Sequence, residues 1–262
     1  MTQTSKNGTA VAPACPMSST TAVPVYAAAM PHRLMRVSEV ARDYPADSPL
    51  ARVLLWMREF LSHPHPDLGR KGAVCPFVPV SLGLDTIWLA EVTDPNPRLE
   101  DIAALITHLR RQFLVTEPVD GPDAINKAFV VAFPYLGPGS TDLVDRVQNA
   151  LRTEFIDCGL MLGEFHETNQ SAGLRNAQFR PLRSPIPMLG MRHMVDSDLP
   201  FLQRANLPAQ ERASFLRAYL FRLAGSLNAA RFDQALNGLI DAEIEKRAPG
   251  HTGDDPATCR AT

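Results

Sequence analysis

The sequence lacks the features that mark several common classes of protein. No run approaches the roughly 18 apolar residues of a membrane helix, and the N-terminal segment has no continuous apolar stretch of about 7 residues, which a secretory signal requires. Lys and Arg total 26 against 28 Asp and Glu, so the net charge of -2 provides no global basicity for nucleic acid. We therefore expect a cytoplasmic protein that binds a small molecule rather than a membrane or nucleic acid.

Metal-binding cysteine pairs and common nucleotide motifs are also missing. The four cysteines, at positions 15, 75, 158 and 259, include no CxxC pair, so a zinc ribbon or an iron–sulfur cluster has no support. The sequence contains no GxGxxG, P-loop, GxSxG or HExxH motif. Dinucleotide-binding, P-loop, α/β-hydrolase and zincin readings therefore lose their usual sequence evidence.

Hydrophobic periodicity predicts a mixed fold. Apolar spacing predicts helices over 49–63, 97–114, 140–159, 208–225 and 229–247, and strands over 86–92, 127–136, 160–166 and 187–195. This order predicts an α+β (mixed α/β) domain, with a single mixed sheet of about four strands covered by helices and a C-terminal helical pair. We expect a disordered lead at 1–33, one globular domain at 34–247 and a disordered tail at 248–262.

The proline- and glycine-rich segment 63–79 contains two histidines in an HPH sequence, His63 and His65. Imidazoles are common metal ligands, but no third ligand lies nearby, and histidine also stabilises the carboxyl end of a helix. Cys75, which precedes Pro76 and Phe77, is interpreted as a small buried residue beside a pocket.

Glu164 and His166 alternate with Phe165 on a predicted strand, so they are expected to share a face. A carboxylate beside an imidazole can form a base with its orienting group, or a metal ligand with its support. The alternative is a solvent-facing polar side of the strand.

Four arginines, Arg175, Arg180, Arg183 and Arg192, lie in or just after the long connection 167–186, which two prolines within it and a third directly after it stiffen. The planar guanidinium binds two oxygens of a carboxylate or phosphate at once. The cluster therefore predicts an anion site. The alternative is that the arginines form salt bridges with nearby acidic residues of the protein itself.

Three blocks resemble the signature blocks of an uncharacterised bacterial domain family of unknown function. They are VCPFVPVSL at 74–82, GLMLGEFH at 159–166, and GLRNAQFRPLRSPIPMLGMRHM at 173–194. The likeness spans about residues 50–205 and implies no activity.

A weaker similarity is to the YqcI/YcgG family, which shares a CPF-type block, a following helix–strand–helix and an arginine-rich block. Some members are haem proteins that hydroxylate nitrogen on amino acids such as arginine. The histidine expected shortly before the arginine-rich block is absent, because this sequence has SAGLRN there. His166 and His193 are the nearest substitutes.

The resemblance implies a haem-dependent oxygenase-like enzyme that acts on a small amino-acid-like metabolite, with a place in specialised metabolism. It implies haem b, with His166 as the axial ligand, His193 in reserve, and the four arginines facing propionates or a substrate carboxylate. The pocket is expected to include Cys75, Phe77, Glu164 and Phe179. The alternative is a non-enzymatic module that binds an anionic metabolite or partner through the arginine-rich loop.

Overall fold

The computed structural model describes residues 33–137 and 139–247; the predicted tail, and the predicted lead apart from Arg33, lie outside them. The described residues form one mixed sheet covered by helices, with a C-terminal helical pair, which confirms the predicted fold class. In chain order the elements are β1 (Met35–Arg36), α1 (Val37–Asp43), α2 (Pro49–Trp56) with the π-helical turn Met57–Leu61, α3 (Val78–Gly83), β2 (Ile87–Glu91), α4 (Leu99–Val115), β3 (Ala128–Ala132), α5 (Asp142–Asp157), β4 (Leu160–Phe165), β5 (Met188–His193), α6 (Leu199–Leu202), α7 (Ala209–Leu223) and α8 (Ala229–Arg247).

The sheet has five strands in the order β1-β2-β3-β5-β4. β2 and β3 are parallel and are connected through α4, while β5 is antiparallel to both β3 and β4. The additional strand relative to the prediction is β1, which pairs antiparallel with β2 and is too short to carry a periodic pattern. β4 is an edge strand of the sheet, so no other strand pairs with its outer side in the described part of the chain.

Helices α4 and α5 cover one face of the sheet. The spacing that predicted α4 buries an apolar row of the helix, consisting of Ile102, Leu105, Ile106, Leu109 and Phe113. This row packs with α5 and with strand residues that include Phe129, Leu162 and Leu189. Each such side chain contributes roughly 1.5–3 kcal/mol by leaving water, so the cluster holds β3, β4 and β5 together.

Helices α1 and α2 cover the opposite face with the segment that leads into α3. α2 begins as predicted, because the Ser48 hydroxyl accepts a hydrogen bond from the Ala51 N–H and Pro49 occupies the first turn. The core on this face joins Leu54 of α2 to Val130 and Met188 of the sheet. Side chains of this face line part of the cavity described below.

The two ends of α5 test the predicted caps. Ser140 was predicted to cap the helix, but the helix begins at Asp142 after Thr141, whose side chain makes no capping bond. The Ser140 hydroxyl makes no hydrogen bond to the first turn in the part of the chain that the structure describes, so the predicted Ser140 cap was wrong. Gly159 follows the helix in the left-handed conformation at φ 74°, as a helix-ending glycine should.

The C-terminal helices α7 and α8 pack against each other and against α5. Phe215 and Tyr219 of α7 are buried with Ile156 of α5 and Ala235 of α8. The Tyr219 hydroxyl donates to the carbonyl of Asp196 at 2.7 Å. The helical pair is thereby tied to the segment that leaves β5.

The connection 167–186 contains no helix or strand, as the sequence predicted. Its own hydrogen bonds order it, since the Gly173 N–H donates to the Phe179 carbonyl at 2.9 Å and the Ser184 hydroxyl to the Ile186 carbonyl at 2.7 Å. None of the helices in the described part of the chain is both long and apolar enough to cross a membrane.

Candidate functional site

A cavity of about 780 Å³ lies along β4 and β5 and reaches both faces of the sheet around the β4 edge. Its volume is within the range of small-molecule sites. Apolar side chains from α2 and its π-helical turn cover it, including Trp56, Met57 and Leu61. Polar residues of α5 and of the segment after α6 line another part of it. The cavity therefore has both apolar and charged walls.

The floor comes from β4 and β5. Their register places Gly163 opposite Gly190, with Phe165 opposite Met188 on the same face. A Cβ atom on either glycine would lie 3.3 Å from Cε2 of Phe165. The paired glycines thus leave room for the Phe165 ring to lie back over the strands.

Three arginines line the cavity: Arg152 of α5, Arg192 of β5 and Arg204 after α6. Arg192 donates to both carboxylate oxygens of Asp198 at 2.8 and 2.6 Å, and its guanidinium lies 5.4 Å from the centre of the Phe77 ring. Because Asp198 is 1% exposed, the carboxylate of this ion pair is buried beneath the surface of the cavity.

The other two arginines have free donor capacity. Arg152 donates to Glu211 at 2.7 Å, while its Nε is buried without a partner among the described residues. Arg204 packs over the Phe201 ring at 5.1 Å, and within residues 33–137 and 139–247 its side chain makes neither a hydrogen bond nor an ion pair. Arg204 therefore offers a guanidinium that a ligand can engage fully.

The acidic side of the cavity contains Glu164 and Asp145. Burial raises the pKa of the Glu164 carboxyl, and the nearby charge of Asp145 adds to this effect, whereas the charge of Arg204 opposes it. The Ser171 hydroxyl lies 3.5 Å from Oε1 of Glu164. Glu164 is thus a half-buried carboxyl with weak hydrogen bonding.

His166 lines the cavity just beyond β4 and is 4% exposed. Its Nε2 lies 3.1 Å from Oδ1 of Asp145, and its Nδ1 lies 3.0 Å from the Thr168 hydroxyl. The carboxylate that orients His166 is therefore Asp145 of α5 rather than the predicted Glu164. No group of three His, Cys, Asp or Glu side chains in the described part of the chain could hold a metal ion by itself.

His193 lies on the face of the sheet that α4 and α5 cover, opposite Leu160 at the far end of β4 from His166, and it is not among the residues that line the cavity. Its ring is 5.0 Å from the Phe113 ring, and its Nε2 is buried without a partner among the described residues. Burial, followed by the charges of Lys127 and Arg192, lowers the pKa of His193 to about 4. The structure thus does not bring together His166 and His193, the two predicted metal ligands.

The other predicted arginines do not line the cavity. Arg180 donates to the carbonyls of Ala177 and Phe179, and Arg183 donates to the carbonyl of Asn169 at 3.2 Å. Arg175 is exposed and packs beside Gly69. The arginine-rich loop therefore uses two of its guanidinium groups on its own backbone.

The predicted pocket residues divide in the same way. Cys75, a half-buried free thiol, lines the cavity, as does Glu164. Phe77 does not line the cavity, but its ring lies under the guanidinium of Arg192, which does. Phe179, in the loop 167–186, stacks on the His65 ring at 4.7 Å and is part of the core on the α2 face.

The sequence contained one signal for the residues that were missed. Asp145, Gln148, Asn149 and Arg152 all line the cavity and follow one another at the spacing of a single helix face. This polar stripe of α5 runs beside the apolar stripe that predicted the helix. Arg204, in an irregular segment, had no such signal.

Residues 50–233 match the model of a family described as a domain of unknown function (DUF6875). Neither a curated protein nor a solved structure matches the chain.

Acidification is expected to weaken the fold through His193. Above its ordinary pKa of 6.5 this group is neutral in both states and adds no pH dependence. Between pH 6.5 and about 4 the unfolded chain binds a proton there and the folded chain does not, so the free energy of unfolding falls, by at most about 3 kcal/mol. We expect the free energy of unfolding, measured with urea between about pH 7 and pH 4, to fall less steeply with decreasing pH in His193→Leu than in the wild type. The same dependence on pH in both proteins would contradict this.

Removal of the Asp198 carboxylate should destabilise the site strongly. Asp198→Ala leaves the Arg192 charge without its partner and the Val195 N–H without its acceptor, at a cost of about 3 kcal/mol. Urea unfolding measures the loss, and Asp43→Ala, which breaks an exposed ion pair with Arg42, serves as a control with little effect. A comparable small effect at both positions would show that the buried pair does not support the fold.

Proposed function

The chain belongs to the DUF6875 family, and we propose that it binds a small amino-acid-like metabolite in the cavity beside β4. The observation that supports this is the charge arrangement of the cavity. Arg204 has no bonded partner in the described part of the chain, and Glu164 is a half-buried carboxyl on the same cavity. A zwitterion with a carboxylate and an ammonium complements both groups at once.

The carboxylate of the ligand is assigned to Arg204, with the free Nε of Arg152 as a second donor. A guanidinium forms two parallel hydrogen bonds with a carboxylate, and such charge-assisted bonds contribute roughly 1.5–3 kcal/mol. Arg192 is less available because Asp198 already engages both of its terminal nitrogens.

The ammonium of the ligand is assigned to Glu164, with Asp145 beside it. Burial raises the pKa of Glu164 because the charged carboxylate loses hydration. A bound ammonium restores a favourable partner for the charge and lowers the pKa again. Binding should therefore favour ligands that carry an amine near the carboxylate.

The body of the ligand is assigned to the apolar floor and cover. Met161 and Met188 are adaptable side chains that accept irregular shapes, and Trp56 and Phe165 meet edge to face at 5.8 Å. These surfaces favour an apolar side chain on the metabolite.

Binding is tested with a panel of the standard L-amino acids and their amine-free analogues, such as 3-phenylpropionate beside L-phenylalanine, by calorimetry. We expect an apolar amino acid to bind, its amine-free analogue to bind at least about tenfold more weakly, and Arg204→Ala to weaken binding by a similar factor.

Arg175→Ala is the matched control, because Arg175 lies on the exposed loop away from the cavity. It should bind as the wild type does. The proposal fails if Arg204→Ala binds the panel as tightly as the wild type, or if only Arg175→Ala loses binding.

A second candidate is the haem-dependent oxygenase that the YqcI/YcgG resemblance implies. The observation in its favour is the contact between His166 and Asp145, since metal-binding histidines commonly donate their second ring N–H to a carboxylate. His166 would then hold the iron through Nδ1, whose present partner, Thr168, is exposed. Arg152, Arg192 and Arg204 could meet the propionates, and the bound haem would supply oxygen activation.

Titration with hemin separates the two candidates. A haem protein should develop a Soret band that His166→Ala abolishes or shifts and that His193→Leu leaves unchanged, because His193 does not line the cavity. Absence of the band in the wild type, with amino-acid binding retained, would leave the metabolite-binding proposal alone.

A further inference from the structure

Helix α8 carries an apolar stripe on its exposed side. Phe232, Leu236, Ile240 and Ile244 recur at every fourth residue and are 36%, 37%, 47% and 63% exposed. At 3.6 residues per turn these positions lie in a band about 120° wide. Scattered exposed apolar residues are ordinary, but a continuous row over about three turns marks an interaction surface.

Three charged residues lie in the same band, and Glu243 is already bonded to Arg217 and Lys246, which leaves Asp233 and Arg247. Asp233 precedes Ile240 by seven residues and Arg247 follows it by seven, which is about two helical turns in each direction. In the described part of the chain neither side chain has a hydrogen bond or an ion pair of its own. The stripe therefore has opposite charges at equal distances from its centre.

We propose that α8 forms the interface of a symmetric dimer, in which it packs antiparallel against α8 of a second copy. A two-fold axis at Ile240 brings Leu236 of each copy to Ile244 of the other, and Asp233 of each copy to Arg247 of the other. The same surface serves both copies, and both ends of the interface gain an attractive charge pair.

The charges also select this arrangement over its alternatives. A parallel pair would place Asp233 against Asp233. An antiparallel pair whose helices are shifted by about one turn, with the axis between Leu236 and Ile240, would place Asp233 against Glu243. Both put like charges together, so the arrangement centred on Ile240 is the favoured one.

Most of the stripe lies C-terminal to residues 50–233, the part of the chain that the family model matches. The proposed interface is therefore independent of the metabolite-binding proposal, and its failure would leave that proposal intact.

Sedimentation of the full chain across roughly 1–100 µM tests the interface. The wild type should reach the mass of a dimer, and Ile240→Asp should remain a monomer with an unchanged circular dichroism spectrum. Asp233→Arg and Arg247→Asp should each raise the dissociation constant at least about tenfold, and the double reversal should restore it to within about threefold.

Val115→Asp is the matched control, because Val115 is 75% exposed at the end of α4 and should leave the dimer unchanged. The proposal is overturned if the wild type stays monomeric throughout the range, if Ile240→Asp dimerises like the wild type, or if the double reversal recovers nothing.

Discussion

The antiparallel register of β4 and β5 is the constraint on which the cavity depends. It sets Gly163 opposite Gly190 and leaves a flat centre on which the Phe165 ring can lie. A slip of one residue would turn Leu162 and Glu164 toward the α2 face and carry the glycines into the core beneath α5. The apolar residues on the other face, which pack under α4 and α5, prevent such a slip because each would lose its burial.

The guanidinium groups near the site differ in how many hydrogen-bond partners they already have, and this determines how strongly each can bind a ligand. Asp198 holds Arg192 and Glu211 holds one end of Arg152, so both are preorganised but partly satisfied. Arg204 has only an aromatic surface beneath it. A ligand gains most where a donor has least to give up, because replacing an existing charge-assisted bond returns little net free energy.

The sequence was informative where periodicity determines structure and less so where tertiary contacts do. The predicted helix 229–247 has the bounds of α8, and the parallel pairing of β2 with β3 follows from the strand–helix–strand order. Clustering of arginines in sequence, however, did not mean convergence in space, because a loop ordered by its own hydrogen bonds can consume its donors locally. Asp145 reaches His166 from a different element, and no local pattern encodes that contact.

The C-terminal helical pair links the cavity to the proposed interface. Glu211 of α7 holds Arg152, and α8 approaches the segment that carries Arg204 so closely that a Cβ atom on Gly238 would lie 3.3 Å from the side-chain oxygen of Gln203. A larger residue at position 238 would press on the side chains of Gln203 and Leu216. A second copy packed on the outer side of α8 would hold this helix in its position against the side chain of Gln203. Dimerisation would then restrict the backbone beside Arg204 and lower the entropy lost when a ligand orders that guanidinium.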